Sequence, residues 1–469
     1  MIDLKAFAVV AALAGFLVFL RLGVVWKVLV AFILMTGSFD LMPGAVFGIA
    51  VWDVGAIMLF VAAVPLMFAQ PKEAKVRAIS IRVLWAFIFW MVICLGYSLM
   101  VYGYPVMNTL KWSRHIIFGY LSIFIFLRLF RMDKNALLLL LKRLYIITYI
   151  LLIVVIIQYV INIPILLGLL SDFNGAMRYL PIFLPISLLF LWVSFSKYLQ
   201  GEGLKLHEWV YGGLVVTVTA LTYTRGIYIA ALISLLSMVF LLLLHGRLKL
   251  TSVVFFFVIA SLGLTVTIAG GWADRVLGRA MSGFGLVLDD NAKRSKDDVD
   301  TFNGRLMLVK ERIALVSEKN PIVGFGFLHE EDVPQSLRSK IKIGGVIATP
   351  EMLAKYSQGS QYILGLYSAD IAWGNIVVNT GFVGLFLFLL FVVTLLLSYK
   401  KLKMDIPPLS HFRLAFFIQI IWLLIVMFIS NSFTENVQIP ALMIAGYLYC
   451  SAKGKYEINQ VADSGLSKG

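Results

Sequence analysis

Long apolar segments, joined by short polar connections, leave this chain few folds to adopt. They lie at 6–20, 22–36, 46–69, 81–101, 115–130, 136–162, 178–198, 208–223, 226–244, 250–270, 371–399, 413–430 and 437–452. Several approach the ~20 residues that a helix needs to cross hydrocarbon, although the first two are short. In that medium a segment must satisfy its own backbone hydrogen bonds, which favours helices. Only 14% of the 469 residues are charged, against about 25% in a soluble domain. The pattern predicts an all-α, polytopic integral membrane protein of about 12 transmembrane helices. A thirteenth is added if 6–36 crosses twice. The first stretch, Ala6 to Leu20, runs through Arg21 into further apolar sequence. It therefore reads as a span or an interfacial helix, not a cleavable leader.

The charge of +15 is not spread evenly. Basic residues gather in alternate connections: Lys72 to Arg82, Arg128 to Arg143, Lys197 and Lys205, Arg247 and Lys249, Lys400 to Arg413, and the tail from Lys453. This is the signature of cytoplasmic loops, so the charge argues for orientation in a membrane and against nucleic-acid binding. The alternation predicts that 1–270 and 371–452 form the helix bundle. The same alternation puts 271–370 outside and makes 453–469 a frayed cytoplasmic tail. The two cysteines, Cys94 and Cys450, sit far apart in apolar segments and suggest neither a disulfide framework nor a metal site.

The outer insert reads as a folded lid. Trp272 to Gly285 has an interfacial character, and Asp289 to Asp300 is a charged, solvated loop. Asn303 to Lys319 places Leu306, Val309, Ile313 and Val316 at helical spacing, with Arg305 and Arg312 on a common face. Asn320-Pro321 ends that helix, and Pro321 to Phe327 forms a glycine-bearing loop. Pro334 and Pro350 are each placed to open a further short helix.

Three of these segments carry a family resemblance. Asn303-Gly-Arg-Leu followed by Asn320-Pro-Ile-Val-Gly-Phe-Gly326 resembles the outer loop of the O-antigen ligase and O-antigen polymerase superfamily. Ser368 to Leu385, with Thr380-Gly-Phe-Val-Gly384, resembles the span that follows it, and Leu221-Thr-Tyr-Thr-Arg225-Gly resembles the family's tight outer turn. The resemblance implies a GT-C-like helical architecture in a bacterial cytoplasmic (inner) membrane, with the large loop facing the periplasm or cell exterior. It implies a metal-independent, cofactor-free glycosyltransferase. The donor would be an undecaprenyl-diphosphate-linked oligosaccharide and the acceptor a second glycan: another lipid-linked repeat for a polymerase, lipid A core for a ligase. A chain-length regulator protein is a further partner of this kind of enzyme. Ligases carry a histidine eleven residues before the first glycine of the following span; this chain has Asp370 there, which favours polymerase.

The candidate residues follow. Arg225, in a tight turn between two apolar segments, is placed to bind diphosphate oxygens and stabilise charge on the leaving group. The bland alternative is snorkelling to headgroups. Arg178 has the same two readings. Arg305 opens the lid helix, where a cation gains nothing from the helix dipole, so a binding role explains its position. Asp370 is either an N-terminal helix acid or the general base for the acceptor hydroxyl. Arg312 and His329 are further substrate-binding candidates, each equally a solvated or ion-paired residue. Tyr356, Tyr362, Tyr367 and Trp373 are candidates for stacking on sugars, and Lys111 and Arg114 for interfacial anchors. The competing class is a polysaccharide or lipid-linked glycan transporter, which internal repeats would favour; none is evident. Asp40 and Asp53, thirteen apart, make an unconvincing metal pair.

Overall fold

The computed structural model describes residues 14–46, 49–70, 78–133, 135–161, 163, 165–166, 170–173, 176–222, 224–249, 251–252, 302–329, 332–334, 337, 342–343, 346–347, 372–401, 409–427, 433 and 437–466. Twelve helices of ten residues or more have bounds among them: α1 Val24–Met35, α2 Val51–Phe68, α3 Ile79–Met100, α4 Val106–Met132, α5 Ala136–Ile161, α6 Leu184–Leu199, α7 Leu206–Leu221, α8 Arg225–Leu244, α9 Phe302–Lys319, α10 Ala372–Leu397, α11 Leu409–Val426 and α12 Gln438–Leu466. Among the described residues, six helices are long and apolar enough to cross a membrane, and three more are apolar but shorter. By length and composition this is a helical, multi-pass membrane architecture.

Among the described residues every long element is a helix, as the sequence predicts, and the strands are confined to short hairpins. Three short antiparallel hairpins occur: β1 Ala45–Val46 with β2 Ile49–Ala50, β3 Leu170–Phe173 with β4 Ala176–Tyr179, and β5 Lys342–Ile343 with β6 Val346–Ile347. The second changes a boundary, because Arg178 lies in β4 and the helix begins only at Leu184. The sequence explains the delay. Pro181 biases Leu180 to an extended backbone, and Phe173 pairs with Ala176 across an Asn-Gly, a dipeptide suited to tight hairpins. Leu337, three residues after Pro334, is helical, its amide donating to the Pro334 carbonyl at 2.9 Å; the residues on either side of Leu337, and Pro350, lie outside the described residues. At the other end, α12 continues to Leu466, so the expected fraying of the tail is not seen in its backbone. That stretch has no proline, and Ala, Glu, Gln and Leu support helix.

The chain divides into two compact units, 1–75 with 124–187, and 76–123 with 188–469. In the first, α1 lies against α2 at Gly55, where a Cβ would stand 2.7 Å from the Met35 amide nitrogen. Arg128 reaches the C-terminus of α2, donating from Nε to the Leu66 carbonyl at 2.9 Å and from Nη2 to that of Ala69. These are carbonyls the helix itself leaves unpaired, and a cation there also suits the helix dipole.

In the second unit, α3 runs along α10, with Phe87 and Phe388 ring centroids 5.6 Å apart. Helix α9 begins and ends almost where the apolar spacing predicts. Its buried Leu315 and Val316 pack with Phe325, Leu328, Val377 and Val378 in one apolar cluster. Helix α9 is therefore docked on α10 through the glycine loop.

That docking depends on a break in α10. Gly381 takes φ 64 and ψ −167, which no helix contains. The amides and carbonyls freed by the break find partners in the loop and in α3. The Phe325 amide donates to the Val378 carbonyl at 2.8 Å, the Phe382 amide to that of Pro321 at 2.8 Å, and Trp90 Nε1 to that of Thr380 at 2.8 Å. Gly324 and Gly326 also have positive φ, 73 and 65. A Cβ on Gly324 would lie 2.5 Å from the Val378 carbonyl oxygen, one on Gly381 would strike the Ile322 carbonyl, and one on Gly326 the Ser98 hydroxyl. Gly381→Ala and Gly324→Ala are each expected to cost about 2–5 kcal/mol, from the left-handed backbone and from overpacking. Gly96, helical and facing open space, is the control: Gly96→Ala should be neutral or stabilise by up to about 1 kcal/mol. Thermal unfolding of the purified protein checks this; equal melting of all three variants would refute the interlock.

Candidate functional site

The glycine loop, the first half of α10 and the α3–α4 connection together build a polar cluster in the second unit. Asn320 follows the last residue of α9 and turns back. Its Nδ2 donates to Tyr102 Oη at 2.8 Å, and Tyr102 donates in turn to the Gly324 carbonyl at 2.9 Å. Ser98 Oγ receives the Phe327 amide at 2.9 Å while donating to the Cys94 carbonyl at 2.7 Å. Beyond the loop, Asp332 accepts from Asn108 Nδ2 with both oxygens, at 3.1 and 2.9 Å. The His329 ring stands edge-on to Trp112, centroids 6.3 Å apart.

Trp112 connects this cluster to α10, its Nε1 donating to Asn379 Oδ1 at 3.2 Å. Asn375, Asn379 and Thr380 are each 2% exposed. Asn379 Nδ2 has no hydrogen-bond partner among the described residues. Two amides four residues apart form one polar stripe on an otherwise apolar helix. Polar side chains at such depth are costly to bury and tend to mark function. Tyr102 and Tyr104 stack at 5.1 Å, with Tyr97 edge-on to Tyr102 at 5.0 Å. Burial raises the Tyr102 phenol above its ordinary pKa, an effect the Asn320 hydrogen bond partly offsets, and burial raises Tyr104 as well. Both phenols stay neutral donors at physiological pH. The cluster thus combines neutral amides, phenols and an indole, the Asp332 carboxylate, aromatic faces and the nearby His329, a set suited to a polyhydroxyl ligand.

Of the residues singled out from sequence, His329 belongs to this cluster and Arg312 lies on the docked helix. Arg312 is 5% exposed, which corrects the solvated reading: it sits beside the apolar face formed by Ile313, Leu315 and Val316. Trp373 packs edge-on against Phe388, so it is a packing residue before it is a sugar platform. Arg225 is the first residue of α8 and Arg305 lies in the first turn of α9; their side chains are outside the described set. Arg178 belongs to the first unit, in β4 opposite Ser171. Asp370, Glu330, Glu331, Tyr356, Tyr362 and Tyr367 lie outside the described residues. The sequence reading passed over Asn375, Asn379, Asn108 and Asp332. The available signal was the pair of amides at helical spacing inside an apolar segment.

No protein-family model matches the chain, and no curated protein matches it.

Trp112→Phe leaves the buried Asn379 carbonyl oxygen without its donor and should cost about 1–3 kcal/mol. Adding Asn379→Leu removes the stranded amide, and the double variant should recover part of that loss. Melting temperatures of the set provide the check; strictly additive losses would show that the two side chains do not act as a pair.

Proposed function

We propose that this protein is a metal-independent membrane glycosyltransferase that polymerises undecaprenyl-diphosphate-linked oligosaccharide repeats at the outer face of the cytoplasmic membrane. The observation that carries the reading is the interlock. Two of the segments that carry the family resemblance, Asn320 to Gly326 and Ser368 to Leu385, are bonded to each other through the Phe325–Val378 and Phe382–Pro321 hydrogen bonds. A motif pair far apart in sequence and joined in space is what a shared site requires.

On this reading about twelve helices span the membrane and residues 271–370 form a lid over the site. Arg178, Arg225 and Arg305 are each candidates to bind the donor diphosphate and stabilise its charge as the bond to the sugar breaks. Asp370 takes the proton of the acceptor hydroxyl, whose oxygen forms the new bond to the anomeric carbon; undecaprenyl diphosphate leaves. The uncharged cluster of Tyr102, Asn108, Trp112 and Asn379 serves the glycan. A carboxylate at Asp370, where ligases have histidine, favours polymerisation over transfer to lipid A core. The break at Gly381 also supports a second reading, since transporters interrupt helices at their binding sites.

Purified protein supplied with lipid-linked repeats should produce a ladder of polymer, and the ladder should persist after metal chelation. Arg225→Ala is expected to slow extension about 10²–10³-fold, and Asp370→Ala to abolish it, with protein levels intact. A ladder that Asp370→Ala leaves unchanged would remove this residue as the base. Movement of lipid-linked glycan across vesicles without any new glycosidic bond would replace the enzyme reading with the transporter.

A further inference from the structure

The most strained backbone among the described residues lies between α1 and α2. Gly37, Ser38, Phe39 and Asp40 all have positive φ, at 65, 56, 51 and 63. This is one turn of left-handed helix, which glycine adopts freely and other residues at about 1–2 kcal/mol each. Three of the four are not glycine, so something must hold them there.

Phe39 packs edge-on against Phe32 of α1, ring centroids 6.3 Å apart, and the other contacts come from one stretch of chain, Tyr179 to Phe183. Asp40, 8% exposed, accepts through Oδ2 from the Tyr179 hydroxyl at 3.0 Å and from the Ile182 amide at 3.5 Å. Phe39, fully buried, meets Phe183 edge-on at 6.1 Å. Gly37 faces Ile182, whose Cδ1 would lie 3.3 Å from a Cβ. Tyr179 is the last residue of β4 and directly follows Arg178. A four-pair hairpin is too short to hold a fixed position by itself. Among the described residues, these contacts tie its end to the turn between α1 and α2. Burial raises the Asp40 pKa while the Tyr179 hydroxyl and the Ile182 amide pull it back; both of these contacts use the carboxyl as an acceptor.

From this geometry we infer that Asp40 is a positioning residue for Arg178: its clasp on Tyr179 fixes β4 and thereby sets the affinity for the diphosphate of the lipid-linked donor. The inference rests on the proposed role of Arg178. It gives the left-handed turn a purpose, since a relaxed turn would move the Asp40 carboxyl away from β4.

Binding of undecaprenyl diphosphate to the full-length protein in nanodiscs tests it. Arg178→Ala and Tyr179→Phe should each weaken binding about 10-fold, the value of one charge-assisted hydrogen bond. The double variant should bind no worse than Arg178→Ala alone, because the clasp acts through that arginine. Asp40→Ala should match Tyr179→Phe. Asp40→Asn should stay within about 2-fold of wild type, since its Oδ1 accepts the same bonds. Amide exchange should rise over 170–183 in Tyr179→Phe and remain unchanged in α3 and α10. Wild-type affinity in Tyr179→Phe, multiplied losses in the double variant, or unchanged exchange in the hairpin would each overturn the inference. Wild-type affinity in Arg178→Ala would overturn it too. A loss in Arg225→Ala alongside that result would keep the functional reading standing.

Discussion

A helix in hydrocarbon has no solvent to satisfy a broken backbone, so the break at Gly381 is possible only because other groups are held against it. Two donors and one acceptor fill that need: the Phe325 amide and the Trp90 indole donate to carbonyls of α10, and the Pro321 carbonyl accepts from the Phe382 amide. Two of the bonds belong to the loop between Asn320 and Phe327. The loop in turn follows α9 directly, so the position of α9 is set by what α10 lacks. Remove the break and the loop loses its partners; remove the loop and α10 has stranded carbonyls in an apolar medium. Each half of the arrangement is the condition for the other.

The same interlock brings polar groups to one place. Ending the first half of α10 at Thr380 leaves Asn375 and Asn379 on a short helix whose carbonyl end meets the loop and α3. Trp112 and Tyr102 reach this point from the α3–α4 side. Neutral amides, phenols and indoles can be buried here because they satisfy one another. They also leave Asn379 Nδ2 with no hydrogen-bond partner among the described residues. A charge in this position would need a permanent counter-ion, whereas an amide can exchange its partner for a ligand hydroxyl at modest cost.

Periodicity made the helices legible, because apolar segments near twenty residues admit few other structures. Helix α9 was equally plain: its apolar spacing and the Asn320-Pro321 stop are local signals. The break at Gly381 was not legible as a break. A glycine inside an apolar run is common in membrane helices, and only the loop far upstream gives this one its partners. The β3–β4 hairpin was missed for a different reason. Its Asn-Gly turn and Pro181 were visible, but hydropathy averages across them and starts the helix too early. Much of the arginine and aspartate set rested on resemblance and on loop position, which say where a residue lies in the sequence and little about what it meets.

The two unusual backbones of this protein differ in what they cost, and the difference is informative. In the interlock every positive φ falls on glycine, at 324, 326 and 381. The conformation there is inexpensive, and close packing alone explains the choice of residue. Between α1 and α2 the chain keeps serine, phenylalanine and aspartate in the same region of backbone space. Glycine at all four positions would relieve the strain but lose Phe39 from the core and the Asp40 acceptor. Backbone strain persists where the surrounding contacts over-determine it. Here those contacts converge on the few residues after Arg178. If the turn served only to connect two helices, many unstrained sequences would serve as well. Its retention of two side chains aimed at Tyr179 and Phe183 is what ties the turn to the hairpin, and the hairpin is what carries the arginine.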